Sequence, residues 1–160
     1  MKNYLFILTS TLLIVLSAGC SSDDESYPDK EEKGNLDTWL NDTDKKMASD
    51  PNSIIGTWEL KTLCYPDGNR EIPLDDRDLF VFNSSGKVMA VIKKGKPLHP
   101  DLPNEDREYG YSYDKEKQIL QLCGESLKCI ITDGEMHIIG YHYGPDDGLY
   151  MHEYIFIKKI

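Results

Sequence analysis

The sequence predicts an all-β fold: an eight-stranded antiparallel up-and-down barrel preceded by a flexible acidic tether. Three observations predict it. Short runs rich in β-branched and aromatic residues recur from Ile54 to Ile160. Clusters of Gly, Pro, Asn, Asp and Ser separate them at hairpin-length spacing. No stretch between them has the length and period of a long helix. Eight sequential antiparallel strands can close on themselves and remove their exposed edges. A barrel of that size is just wide enough to be filled by side chains or to hold one small ligand.

Within the domain 54–160, the first strand runs from Ile54 to Tyr65, and Pro66-Asp67-Gly68-Asn69 stops it. Asp78 to Phe82 is the second, Asn83-Ser84-Ser85-Gly86 a turn, and Lys87 to Ile92 the third. A long loop with Gly95, Pro97, Pro100 and Pro103 leads to the fourth strand, Arg107 to Tyr113. Gln118 to Cys123 and Leu127 to Ile131 follow, the turn between them being Gly124-Glu125-Ser126. Asp133-Gly134 is a strong hairpin signal leading to Glu135–Tyr143. The last strand runs from Leu149 to Lys159.

Ahead of the domain, Lys2 and an apolar run from Leu5 to Leu16 end in Ser17-Ala18-Gly19 before Cys20. Residues 1–19 therefore read as an export signal. The apolar stretch is shorter than the ~20 residues of a membrane span. Leu16-Ser17-Ala18-Gly19-Cys20 resembles the lipobox of bacterial lipoproteins, with Ser17 where leucine is usual. The resemblance implies cleavage before Cys20 and a diacylglycerol thioether on it, so the membrane is a partner through that lipid. Ser21-Ser22-Asp23-Asp24-Glu25 resembles the acidic signal that routes lipoproteins of some Gram-negative bacteria to the outer face. That implies an outer-membrane, lipid-anchored protein facing the exterior; a solvated linker is the alternative. Residues 20–53 read as the acidic tether. Leu36, Trp39, Leu40 and Met47 fit a short helix near 36–47, capped by Asn35 or Asp37, or else a frayed linker. Such a helix would lie across one barrel mouth.

Gly56-Thr57-Trp58 at the start of the first strand resembles the glycine–x–tryptophan motif of lipocalins. Phe80–Val88, Tyr111–Asp114 and Tyr154–Lys159 also resemble segments of bacterial lipocalin-like domains. The resemblance implies that Gly56 and Trp58 are structural. Trp58 would plug the closed end of the barrel under a basic residue of the last strand, Lys158 or Lys159, where the family usually has Arg.

Catalytic apparatus and cofactor motifs are not apparent. No nucleophile elbow or glycine-rich phosphate loop occurs. Among the histidines, His99 sits in a Pro-rich loop. His137 and His142 face opposite sides of one strand. His142 and His152 can approach across the final hairpin, but a zinc site needs more ligands, so no metal is expected. Asp75-Asp76 and Asp146-Asp147 read as solvated loop charges. The net charge of -10 argues against nucleic acid, which requires basic patches.

The tyrosines are more informative. Tyr111, Tyr113, Tyr141, Tyr143 and Tyr154 are the candidate ligand-binding residues, with Tyr109 and Tyr150 beside them, because tyrosine offers an apolar body and a polar tip. Ordinary strand composition is the alternative. Three cysteines remain besides Cys20. If position 122 faces 130, then Cys123 faces Cys129, and a disulfide there would leave Cys64 free; three reduced cysteines are the alternative.

Two function classes follow. One is a surface-tethered lipocalin-like binding module for a small apolar or amphipathic ligand. The other is a structural or protein-interaction lipoprotein with a filled barrel, such as an envelope inhibitor or accessory subunit. The barrel interior discriminates between them, and Ala90, Gly110 and Gly140 suggest room inside.

Overall fold

Alternation of apolar and polar residues is what makes these segments pair and curl, because one face of each strand must leave water. In the computed structural model, which describes residues 36–93, 99–143 and 148–159, nine strands form. They are β1 (Gly56–Tyr65), β2 (Gly68–Glu71), β3 (Leu79–Phe82), β4 (Lys87–Val91), β5 (Glu108–Asp114), β6 (Ile119–Leu122), β7 (Glu125–Thr132), β8 (Glu135–Tyr143) and β9 (Leu149–Lys159). The strands β1 and β3 to β9 meet their neighbours in order, all antiparallel, and β1 pairs with β9. This is the expected closed eight-stranded barrel. Strand β2 is an addition where only a turn was expected. It pairs with Thr62–Tyr65 along the edge of β1 beyond the reach of β3.

The register sets which side chains enter the barrel. Trp58 and Leu60 point inward; the bulge between Leu60 and Thr62 then resets the phase so that Leu63 and Tyr65 do too. Phe80, Phe82, Val88, Ala90, Leu120, Leu122, Leu127, Cys129, Met136, Ile138, Tyr154 and Phe156 complete the buried interior. Phe80 meets Phe156 edge to face at 5.4 Å. On the outer face, Glu59 is buried between Arg77 and Lys159, at 2.9 and 2.7 Å. Burial opposes its charge, but these two cations hold its carboxyl below the usual range.

The tether reading ends earlier than position 54. Residues 36–53 are packed against the barrel. The single helix near 36–47 is two pieces, α1 (Leu36–Trp39) and α2 (Asp42–Ala48). Asp37 lies inside α1 rather than ahead of it. Asn41 caps α2 in a reciprocal box with Asp44, and so breaks the helix at that point. Asp44 is buried and also accepts from Ser84 N at 2.9 Å, pinning α2 to the β3–β4 turn. Trp39 Nε1 donates to Val81 O.

The Cys123–Cys129 bond is absent: Cys64, Cys123 and Cys129 are all free. The register explains it. Leu122 pairs with Glu125, so the turn is Cys123-Gly124, both with positive φ, rather than Gly124-Glu125-Ser126. Cys123 sits exposed in that two-residue turn, while Cys129 faces the core, where burial pushes its thiol up to about 12. Asp133-Gly134 forms the expected hairpin turn, with Thr132 paired to Glu135. Cys20, the segment 1–19, Asn35, Pro97 and Asp146-Asp147 lie outside the described residues. Among the described residues, no helix is long and apolar enough to cross a membrane.

Candidate functional site

The barrel has two differently closed ends. At the first, Trp58 is fully buried and its Nε1 donates to Ile54 O at 2.7 Å. Lys158 Nζ lies 5.1 Å from the centre of the Trp58 ring and donates to the carbonyls of Asp50 and Ser53. Burial pushes the Lys158 ammonium down to about 8. Gly56, at φ +127°, is required here. A Cβ on it would lie 3.0 Å from Ala48 Cβ and 3.1 Å from Lys158 Cε. The glycine therefore lets α2 and Lys158 close over the tryptophan.

The opposite end is closed by the loop from His99 to Asn104, in which His99, Asp101 and Leu102 are buried. Asn104 ties the loop's start to its end, accepting from His99 N at 2.8 Å and donating to His99 O at 2.9 Å. Asp101 rests directly on Gly140 of β8; a Cβ there would lie 2.5 Å from Asp101 Cγ. The room expected from Gly140 exists, but the chain's own loop fills it. Gly110 is exposed, so its room lies outside the barrel.

This second end is polar. Tyr154 OH donates to Asp101 Oδ2 at 2.9 Å, and burial with the nearby Asp101 charge raises the tyrosine's pKa. His152 pairs with Gly140 and His142 with Tyr150, so the two histidines are diagonal neighbours on the inner face. Their rings stand 4.1 Å apart, edge to face. Neither Nδ1 has a hydrogen-bond partner among the described residues. One donor atom from each of Asp101, His142 and His152 lies within 4.8 Å of the other two. Burial, followed by the neighbouring His142, lowers the pKa of His152, against the pull of Asp101. His99 adds a buried ring beside Tyr154, with Nε2 3.6 Å from Asp78 Oδ2.

No protein-family model matches the chain, and no curated protein is significantly similar to it in sequence.

The five candidate tyrosines do not form one group. Tyr111 is at the tryptophan end, edge-on to Phe82 at 4.9 Å with its OH donating to Asn83 O, and burial pushes it up to about 12. Tyr113 donates to Cys129 O at 3.4 Å. Both line an open cleft of about 640 Å³ with Met47, Ile54 and Ile55. Tyr154 is at the polar end. Tyr141 and Tyr143 point outward, 58% and 76% exposed, because they alternate with inward Gly140 and His142. Their partners across the hairpin are Met151 and Leu149, also exposed. Strand β5 is separated from β8 by β6 and β7, so Tyr111 and Tyr113 lie apart from Tyr141, Tyr143 and Tyr154, which are on the adjacent strands β8 and β9. Asp75 and Asp76 are exposed in a short 3-10 turn, as loop charges.

The sequence reading missed Asp101. No local pattern marks it, since its position depends on how a Pro-rich loop folds back. The one available signal was Gly140, a side-chain-free position on an inward face.

Proposed function

We propose that this chain is a lipid-anchored envelope protein whose lipocalin-like barrel serves as a protein-contact module at the cell exterior. The filled interior carries the choice between the two classes: large side chains occupy one end and the 99–104 loop occupies the other. The contact face is the outer side of the β8–β9 hairpin. Tyr141, Tyr143, Leu149 and Met151 are exposed there, whereas Met47 and Leu74 are the other exposed large hydrophobics among the described residues. Tyrosine and methionine are enriched at protein interfaces, and clustered exposed apolar side chains mark such sites. Lys158 over Trp58 supports the lipocalin-like reading.

A photo-crosslinking residue placed at position 143 or 151 in intact cells is expected to yield one discrete adduct. The same residue at 121, exposed on β6, should yield none. Equal labelling from all three positions, or none from any, would sink the contact face. Anchoring is tested separately: Cys20→Ala should abolish detergent partitioning, and added protease should remove the domain from intact cells.

A second reading, a small amphipathic ligand, draws support from the cleft beside Tyr111 and Tyr113, whose size falls within the ~300–1,000 Å³ typical of ligand sites. Native mass spectrometry of protein purified from its own host decides between them, since a carrier would retain a stoichiometric organic ligand.

A further inference from the structure

We propose that Asp101, His142 and His152 form a binding site for a divalent transition-metal ion of the zinc class. The site lies on the inner face of the hairpin whose outer face carries the apolar patch. Two imidazoles and a carboxylate suit zinc and its neighbours, whereas calcium and magnesium prefer all-oxygen cages. Three protein ligands with a fourth position left to water is an arrangement zinc accepts readily.

Several features of the fold point to a ligand here. His152 is nine-tenths buried, and its Nδ1 has no partner among the described residues. Buried nitrogens of that kind are rare and call for an occupant. The Nδ1 of His142 is also buried and has no partner among the described residues. The Asp101 carboxylate is held by the Tyr154 hydroxyl, the sort of outer hydrogen bond that orients a metal-ligating carboxylate. The absence of a side chain on Gly140 gives Asp101 its seat beside the two rings. Donor atoms around a tetrahedral zinc at ~2.0–2.2 Å stand about 3.3 Å apart. The three donor atoms lie within 4.8 Å of one another, so a bound ion would draw them together by up to about 1.5 Å.

The test uses the full chain purified in detergent, stripped with chelator, then loaded with zinc and desalted. Elemental analysis should find one zinc per chain. Competition against a chromophoric chelator should show His142→Gln and His152→Gln each weakening binding by more than the ~10–100-fold that loss of an outer partner costs. Tyr154→Phe should fall within that range. His137→Gln, on the outer face beside Glu153, should bind as the wild type does. Near-UV circular dichroism checks folding, and the half-buried His142 carries the test if His152→Gln does not fold. A folded wild type that retains no zinc would overturn the site. So would a folded His142→Gln protein that binds as tightly as wild type, or zinc lost through His137→Gln.

Discussion

At one end of the barrel an indole is sealed under a lysine and a helix; at the other, a carboxylate and two imidazoles are sealed under a loop. Both ends use a glycine to let the covering element approach, Gly56 beneath α2 and Gly140 beneath Asp101. Their energetics differ. The tryptophan end gains from apolar burial and has its one indole N–H satisfied. The opposite end buries polar atoms, some without partners, which costs stability unless something is bound. The first end therefore reads as the part that holds the fold, and the second as the part with capacity to spare for binding.

The sharpest way to break this contrast is Trp58→Ala. It should destabilise the protein by ~3–5 kcal/mol, the range for removing a large core aromatic, measured by urea unfolding. Gly140→Ala should cost less, ~1–3 kcal/mol, because the new methyl must push Asp101 and its loop aside. If Gly140→Ala costs as much as Trp58→Ala, the polar end is as structural as the apolar one.

The contrast also explains what was legible in the sequence. The strands, their order and the barrel closure follow from alternation and turn residues, which act locally. Gly56 and Trp58 were marked by the resemblance of Gly56-Thr57-Trp58 to the glycine–x–tryptophan motif, at the head of a clear strand. The β6–β7 register was not, because Cys123-Gly124 and Gly124-Glu125-Ser126 are both plausible turns and shift the pairing that a disulfide needs. The polar end was half legible. His142 and His152 are joined by a hairpin, so their approach could be read, whereas Asp101 arrives from a loop whose path no periodicity records.

Titration sharpens the comparison further. Lys158 gives up its proton at about 8 in the folded protein, against an ordinary value of 10.5. Between those values the unfolded chain binds more protons, so the folded state gains stability as the pH rises. The stability of wild type relative to Lys158→Met should therefore increase from pH 8 to about 10.5 in denaturant titrations and flatten beyond it. A flat difference would mean that the carbonyls of Asp50 and Ser53, with the indole face, fully replace the water around that ammonium. The smallest expected effect is at the outer patch. Tyr143→Ser should change stability by no more than about 0.5 kcal/mol, as exposed substitutions do, while removing the crosslinked adduct expected from position 151.

The pairing of β1 with β9, from Thr57 opposite Lys159 to Cys64 opposite Glu153, carries a consequence in time. The first strand of the barrel completes its hydrogen bonding only against the last. Until β9 emerges, β1 and β8 each present an open edge to any extended chain nearby. The closing contact spans nearly the whole domain, so its loop entropy must be overcome before the seam rewards it, and barrels of such non-local pairing fold in milliseconds to seconds. The barrel is therefore most open to misassembly at the moment before β9 arrives, and that strand acts as the latch.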